Sequence, residues 1–104
     1  MEFQSDTEQL RLKGKISIND AESLVNVLMQ YIQTQQEIVK INLAEVETMD
    51  IMALQVLIAA QRTTKQANKR FELLNIKDKL CKTFELSGMD FIFEQEEELS
   101  PLSK

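Results

Sequence analysis

Apolar and polar residues alternate at Leu10, Leu12, Ile16 and Ile18 on either side of Gly14, a two-residue period that predicts a strand, a tight turn or bulge at the glycine, and a strand continuation. The period then changes. Ala21, Leu24, Val25, Leu28 and Ile32 recur at helical spacing, and Asn19 followed by Glu22 resembles a capping box, so an amphipathic helix is predicted over roughly residues 20 to 34.

Ile38-Val39-Lys40-Ile41-Asn42-Leu43 is short, β-branched and dense in apolar residues, the pattern of a central strand covered on both faces. After a short loop, Asp50 can cap a second helix running to about Lys65, and Phe71, Leu73 and Leu74 supply the next strand. Strand, helix and strand with short connections predict a right-handed βαβ crossover and at least one parallel pair in a mixed sheet. A third helix is predicted from about Lys77 to Leu86, stopped at Gly88. Phe91-Ile92-Phe93 reads as a last edge strand or an apolar terminal segment, and the acidic run from Glu94 onward as a solvated tail.

Length narrows this further: 104 residues make one domain, expected over 1–94 with an acidic C-terminal tail at 95–104. Hydrophobic residues are 43% and charged residues 28%, and no apolar run nears the ~18 residues a membrane span needs. The opening Met1-Glu2-Phe3-Gln4-Ser5-Asp6 does not match a signal peptide, which predicts a cytoplasmic chain. Cys81, the single cysteine, lies in the helical pattern Leu80-Cys81-x-x-Phe84 and is expected to be a buried, inert thiol. With no histidine, the commonest general base and the commonest transition-metal ligand are missing, so no metal, cofactor or imidazole triad is expected.

A net charge of −5 and a pI near 4.7 argue against nucleic acid or an anionic membrane as partner. The charge is uneven: seven basic residues fall between Arg62 and Lys82, and six acids follow Thr83. The basic stretch is expected to be a solvated, ion-paired surface.

On a helix begun by Asp50, Leu54, Leu57, Ile58 and Gln61 share one face, at the spacing that packs a helix on a sheet. Met52, Val56, Ala59 and Thr63 lie nearly opposite, either under a neighbouring helix or exposed for a partner. At this segment the chain resembles the STAS family, the domain of anti-sigma-factor antagonists. In that family a strand ends in an acidic or small-polar turn, and an aspartate, two small hydroxyl or alanine residues, a glycine and a leucine begin the second helix. Here Ile41-Asn42-Leu43 resembles the strand, Asp50 the aspartate, Ile51 and Met52 the next two positions, Ala53 the glycine and Leu54 the leucine. The likeness extends to Leu10–Ile18 before, and to Arg70–Asn75 and Leu80–Gly88 after.

The resemblance implies an α/β fold, a mixed sheet of four to five strands with three to four helices packed mainly on one side. It also implies a non-catalytic module that docks an anti-sigma kinase of ATPase fold through Thr48, Asp50, Ile51, Met52, Ala53 and Val56. Family members that switch by phosphorylation carry a serine or threonine two residues after the aspartate. Met52 stands there and has no hydroxyl, so the resemblance implies a module without that switch. Within the same family, an accessory subunit binding a lipid-transport ABC ATPase and a chemotaxis-associated protein are alternative roles. From a different class, Glu45, Glu47 and Asp50 could form an acid/base cluster at the end of a strand.

Overall fold

The computed structural model describes residues 1–88. Four strands, β1 (Glu2–Ser5), β2 (Leu10–Ile16), β3 (Ile38–Met49) and β4 (Arg70–Leu74), lie side by side in that order. β1 pairs antiparallel with β2, whereas β2 with β3 and β3 with β4 are parallel. Parallel neighbours need a crossover, and these are supplied by helices α1 (Ala21–Thr34) and α2 (Ile51–Gln66), with α3 (Asp78–Leu86) following β4. The mixed α/β sheet expected from the sequence is therefore present.

One apolar cluster holds it together. Leu10, Leu12 and Ile16 of β2 and Val39, Ile41 and Leu43 of β3 meet Leu24 and Leu28 of α1, Leu54 and Leu57 of α2, and Leu80 and Phe84 of α3. Complete burial of one such side chain is worth about 1.5–3 kcal/mol, so the three helices are fixed mainly by the face each turns to the sheet. The reverse face is polar. Arg11 is exposed, Lys40 is half-buried, and Asn42 Nδ2 donates to Gln9 Oε1 at 2.9 Å. β3 is thus packed apolar on one face only, not on both as its composition suggested.

β3 is also longer than expected, for a reason visible in its register. Arg11 to Lys13 is two residues on β2 but is matched by Asn42 to Glu45, three residues, on β3. Gly14 to Lys15 is one residue, matched by Val46 to Thr48, two. Each irregularity inserts one extra residue into β3, so its buried positions run Leu43, Val46, Met49 at spacing three. That spacing hides the strand from a two-residue reading, and the predicted loop after Leu43 does not exist. On β2, Gly14 has φ +85° at the second irregularity, and the strand passes through it to Ile16 without a turn.

Four further expectations need correction. The first strand is Glu2–Ser5, every residue of it exposed, and it is joined to β2 by a turn in which Asp6 Oδ1 accepts the amides of Glu8 and Gln9 at 2.8 and 2.9 Å. Ile18 is not a strand residue; it lies in a short 3-10 turn, Ile18–Asp20. The capping box there belongs to Ser17 and Asp20 instead of Asn19 and Glu22: Ser17 Oγ accepts the Asn19 amide at 3.2 Å and Asp20 Oδ2 accepts the Ser17 amide at 2.9 Å. Cys81 is half-buried, and burial, followed by the nearby charges of Asp78 and Glu85, pushes its thiol up, toward the protonated and unreactive form. α3 stops where expected, with Gly88 at φ +73°, while Phe91-Ile92-Phe93 and the acidic tail lie outside the described residues.

Candidate functional site

The parallel strands β2 and β3 end side by side, Ile16 opposite Met49, and the chain leaves each as a helical turn. Between them sits Asp50. Its backbone amide donates to Ile16 O at 3.1 Å, adding one rung to the ladder. Its carboxylate does two further jobs. Oδ1 accepts the Ala53 amide at 3.1 Å, capping α2, and Oδ2 accepts the Ile18 amide at 2.6 Å, tying down the turn before α1. An aspartate suits this place because a charged acceptor at a helix N-terminus meets orphan amides and the positive end of the dipole. Next to it, the backbone amide of Ser17 holds the Asp20 carboxyl below its ordinary value, so the turn carries a second carboxylate locked to backbone.

Around this locked junction the surface is apolar. Ile18 is 59% exposed, Ile51 51% and Met52 39%, half of the six exposed large hydrophobics among the described residues. These three side chains stay outside the core cluster, at the point where two strand ends and two helical turns are bonded together. Thr48, at the end of β3, and Asp50 itself are exposed beside it.

The other expected site residues fall differently. Ala53 is completely buried, which leaves no side chain for a partner; its methyl fills the position the family gives to glycine and turns into the core. Val56 is half-buried and packs against the core cluster, so it is at most the margin of the exposed face. Leu54, Leu57, Ile58 and Gln61 are buried as their spacing required. The residue that sequence reasoning missed is Ile18. Its signal was present as Ser17-x-x-Asp20, a capping-box spacing that marks a helical turn at the strand's end.

Of the three carboxylates expected as a possible acid/base cluster, Glu47 is exposed, and Glu45 and Asp50 are engaged separately. Glu45 pairs with Lys13 at 3.7 Å, and both oxygens of Asp50 accept backbone amides. Among the described residues no group of three or more His, Cys, Asp or Glu is placed to hold a metal ion, and no helix is long and apolar enough to cross a membrane. In the basic stretch, Arg70 pairs with Glu72 at 3.1 Å and Lys69 Nζ donates to Ile32 O at 2.8 Å, closing the end of α1.

Known proteins resemble this chain in sequence and in fold. The anti-sigma-B factor antagonist of Listeria monocytogenes is 27% identical over 93 residues, 89% of this chain and 82% of its own. The anti-sigma factor antagonist SpoIIAA in its unphosphorylated form superposes with a TM-score of 0.64 at 21% identity, over 82% of this chain and 83% of its own. A sulfate transporter family protein from Wolinella succinogenes shares the fold at a TM-score of 0.68 and 17% identity, covering 83% of this chain and 70% of its own. The family model described as "Mlab, STAS domain" matches residues 1–94. With its motif aspartate bonded across two strand ends and its mixed sheet in place, the chain belongs to the STAS domain family.

Proposed function

We propose that this chain is a non-catalytic regulatory module that docks a protein partner, an anti-sigma kinase of ATPase fold, through the surface formed by Ile18, Thr48, Asp50, Ile51 and Met52. The observation that carries the reading is the exposure of Ile18, Ile51 and Met52 about an aspartate whose carboxylate is already committed to two amides. Exposed aliphatic and methionine side chains on a fixed backbone supply apolar contact area, and Met adapts to the partner's shape. The partner class rests on the relatives named as anti-sigma factor antagonists. Because Met52 offers no acceptor oxygen, docking is constitutive at this position: a kinase partner can bind the module without silencing it by phosphorylation there. The setting we propose is the cytoplasm.

Site-specific photo-crosslinking in the native cell tests this. A benzophenone side chain at position 52 should capture an ATPase-fold protein, identified by mass spectrometry, and the same group at Arg11, on the exposed reverse of the sheet, should not. Capture of a transport ATPase instead of a kinase would assign the accessory-subunit role. Equal capture from both positions, or from Arg11 alone, would remove the docking surface from this site.

A further inference from the structure

A cavity of about 550 Å³ opens between the β1–β2 hairpin and the C-terminal half of α1, lined by Phe3, Asp6, Leu10, Val27, Tyr31 and Gln36 among others. No residue of its lining belongs to the Asp50 junction. The volume is within the range of small-molecule sites. Its walls divide by chemistry. Phe3, Leu10 and Val27 are apolar, and the rim beyond them carries the amide of Gln30 and the hydroxyls of Ser5 and Thr34.

In the wall stands Tyr31, 5% exposed, whose hydroxyl is buried and has no hydrogen-bond partner among the described residues. A buried hydroxyl without a partner costs on the order of 1–3 kcal/mol, and nearly all such groups in folded proteins are satisfied by something. Asp6 Oδ1, on the adjoining turn, already takes the amides of Glu8 and Gln9. The same turn sets the sign of the field. Asp6 and Glu8 bring negative charge toward the phenol, so a second anion is repelled, and any charged group would have to shed its water to reach a buried hydroxyl.

We propose that this cavity is a binding site for an uncharged small amphiphile, whose apolar body lies on Phe3, Leu10 and Val27 and whose one polar group accepts a hydrogen bond from the Tyr31 hydroxyl. Position favours a regulatory use: the ligand would bridge α1 to the edge strand β1, whose four residues are exposed and whose neighbour in the sheet is β2.

Tyr31 is the only tyrosine and the chain has no tryptophan, so its fluorescence reports the site without labelling. Three probes of equal length, hexanamide, hexanoate and hexylammonium, should be titrated into the full chain near neutral pH. Hexanamide should give a saturable change and bind at least tenfold tighter than hexanoate. Removing the hydroxyl with Tyr31→Phe, followed by ligand-observed NMR, should weaken hexanamide about five- to tenfold, as the loss of one hydrogen bond does, while the circular dichroism spectrum stays native. Val27→Phe, which fills the cavity and leaves Tyr31 as reporter, should abolish the fluorescence response. The proposal is overturned if hexanamide gives no saturable change, if either charged probe binds more tightly, or if Tyr31→Phe binds hexanamide as well as the parent chain.

Discussion

The Asp50 carboxylate accepts the backbone amide of Ile18 at 2.6 Å across a separation of 32 residues, so one side chain joins the ends of two parallel strands and caps α2 at the same time. Asp50→Ala removes both acceptors. Loss of a cap costs about 0.5–2 kcal/mol, and because the Ile18 amide lies at the surface, water replaces much of the second bond. A net loss of about 1–2 kcal/mol is expected, which lowers the thermal midpoint by roughly 4–8 °C for each kcal/mol in a domain of this size. Asp50→Asn, which keeps one acceptor oxygen, should lose less. An unchanged midpoint in Asp50→Ala would mean that the two bonds contribute nothing.

Charge substitutions along α2 should separate its two faces. Leu54 is completely buried against the sheet, and Leu54→Asp puts a carboxylate into the core at a cost of several kcal/mol, enough to unfold a domain of ordinary stability. Val56 is half-buried against the same cluster, so Val56→Asp should be folded but measurably less stable. Met52→Asp should melt close to the parent chain, since a carboxylate in the first turn gains about 0.3–1 kcal/mol from the helix dipole and the side chain it replaces, 39% exposed, is no part of the core cluster. Urea titrations of the three variants check this order.

Much of this was legible in the sequence and some was not, and the division follows burial. α1, α2, α3 and β4 bury a stripe of their own side chains, so periodicity found them. β1 buries none: it pairs with β2 through its backbone, and an exposed Glu-Phe-Gln-Ser leaves no pattern. The second half of β3 was hidden by its two extra residues, which stretch the apolar spacing from two to three and imitate a loop. At the site, Asp50, Ile51 and Met52 were visible because the cap and helix start are local. Ala53 and Ile18 exchanged roles, one entering the core and the other the surface, because their surroundings are made by a contact between distant segments.

Alkaline pH should weaken the fold through Tyr31. Burial, followed by the charges of Asp6 and Glu8, pushes its phenol from 10.0 up to about 12. A group whose value is raised on folding contributes stability that is complete below the unfolded value and is lost as the pH climbs through the folded one. The Tyr31 contribution should therefore be constant up to pH 10.0 and be lost between there and about 12. Tyrosinate absorbance reads this single residue directly, and Tyr31→Phe should remove that part of the decline. A native phenol that titrates at its ordinary value would contradict the buried placement.

Incubation with ATP and an anti-sigma kinase should leave the motif position unmodified, since Met52 has no hydroxyl. Intact-mass spectrometry decides it. Met52→Ser restores an acceptor at an exposed first-turn position and should take up one phosphate from the same kinase. A stoichiometric phosphate on the parent chain at Thr48, the exposed hydroxyl at the end of β3, would transfer the switch to that residue and end the constitutive reading.

The most direct measurement is a calorimetric titration of the crosslinked partner, once identified, with the parent chain and with Met52→Asp, each verified as folded by circular dichroism. Met52 is 39% exposed, two residues beyond Asp50. A carboxylate there must lose its water or find a cation when the partner covers it, and an unpaired buried charge costs several kcal/mol. The account predicts native spectra for both proteins and a Kd for Met52→Asp weaker by two orders of magnitude or more. Equal affinity of the two folded proteins would contradict it and place the partner elsewhere on the domain.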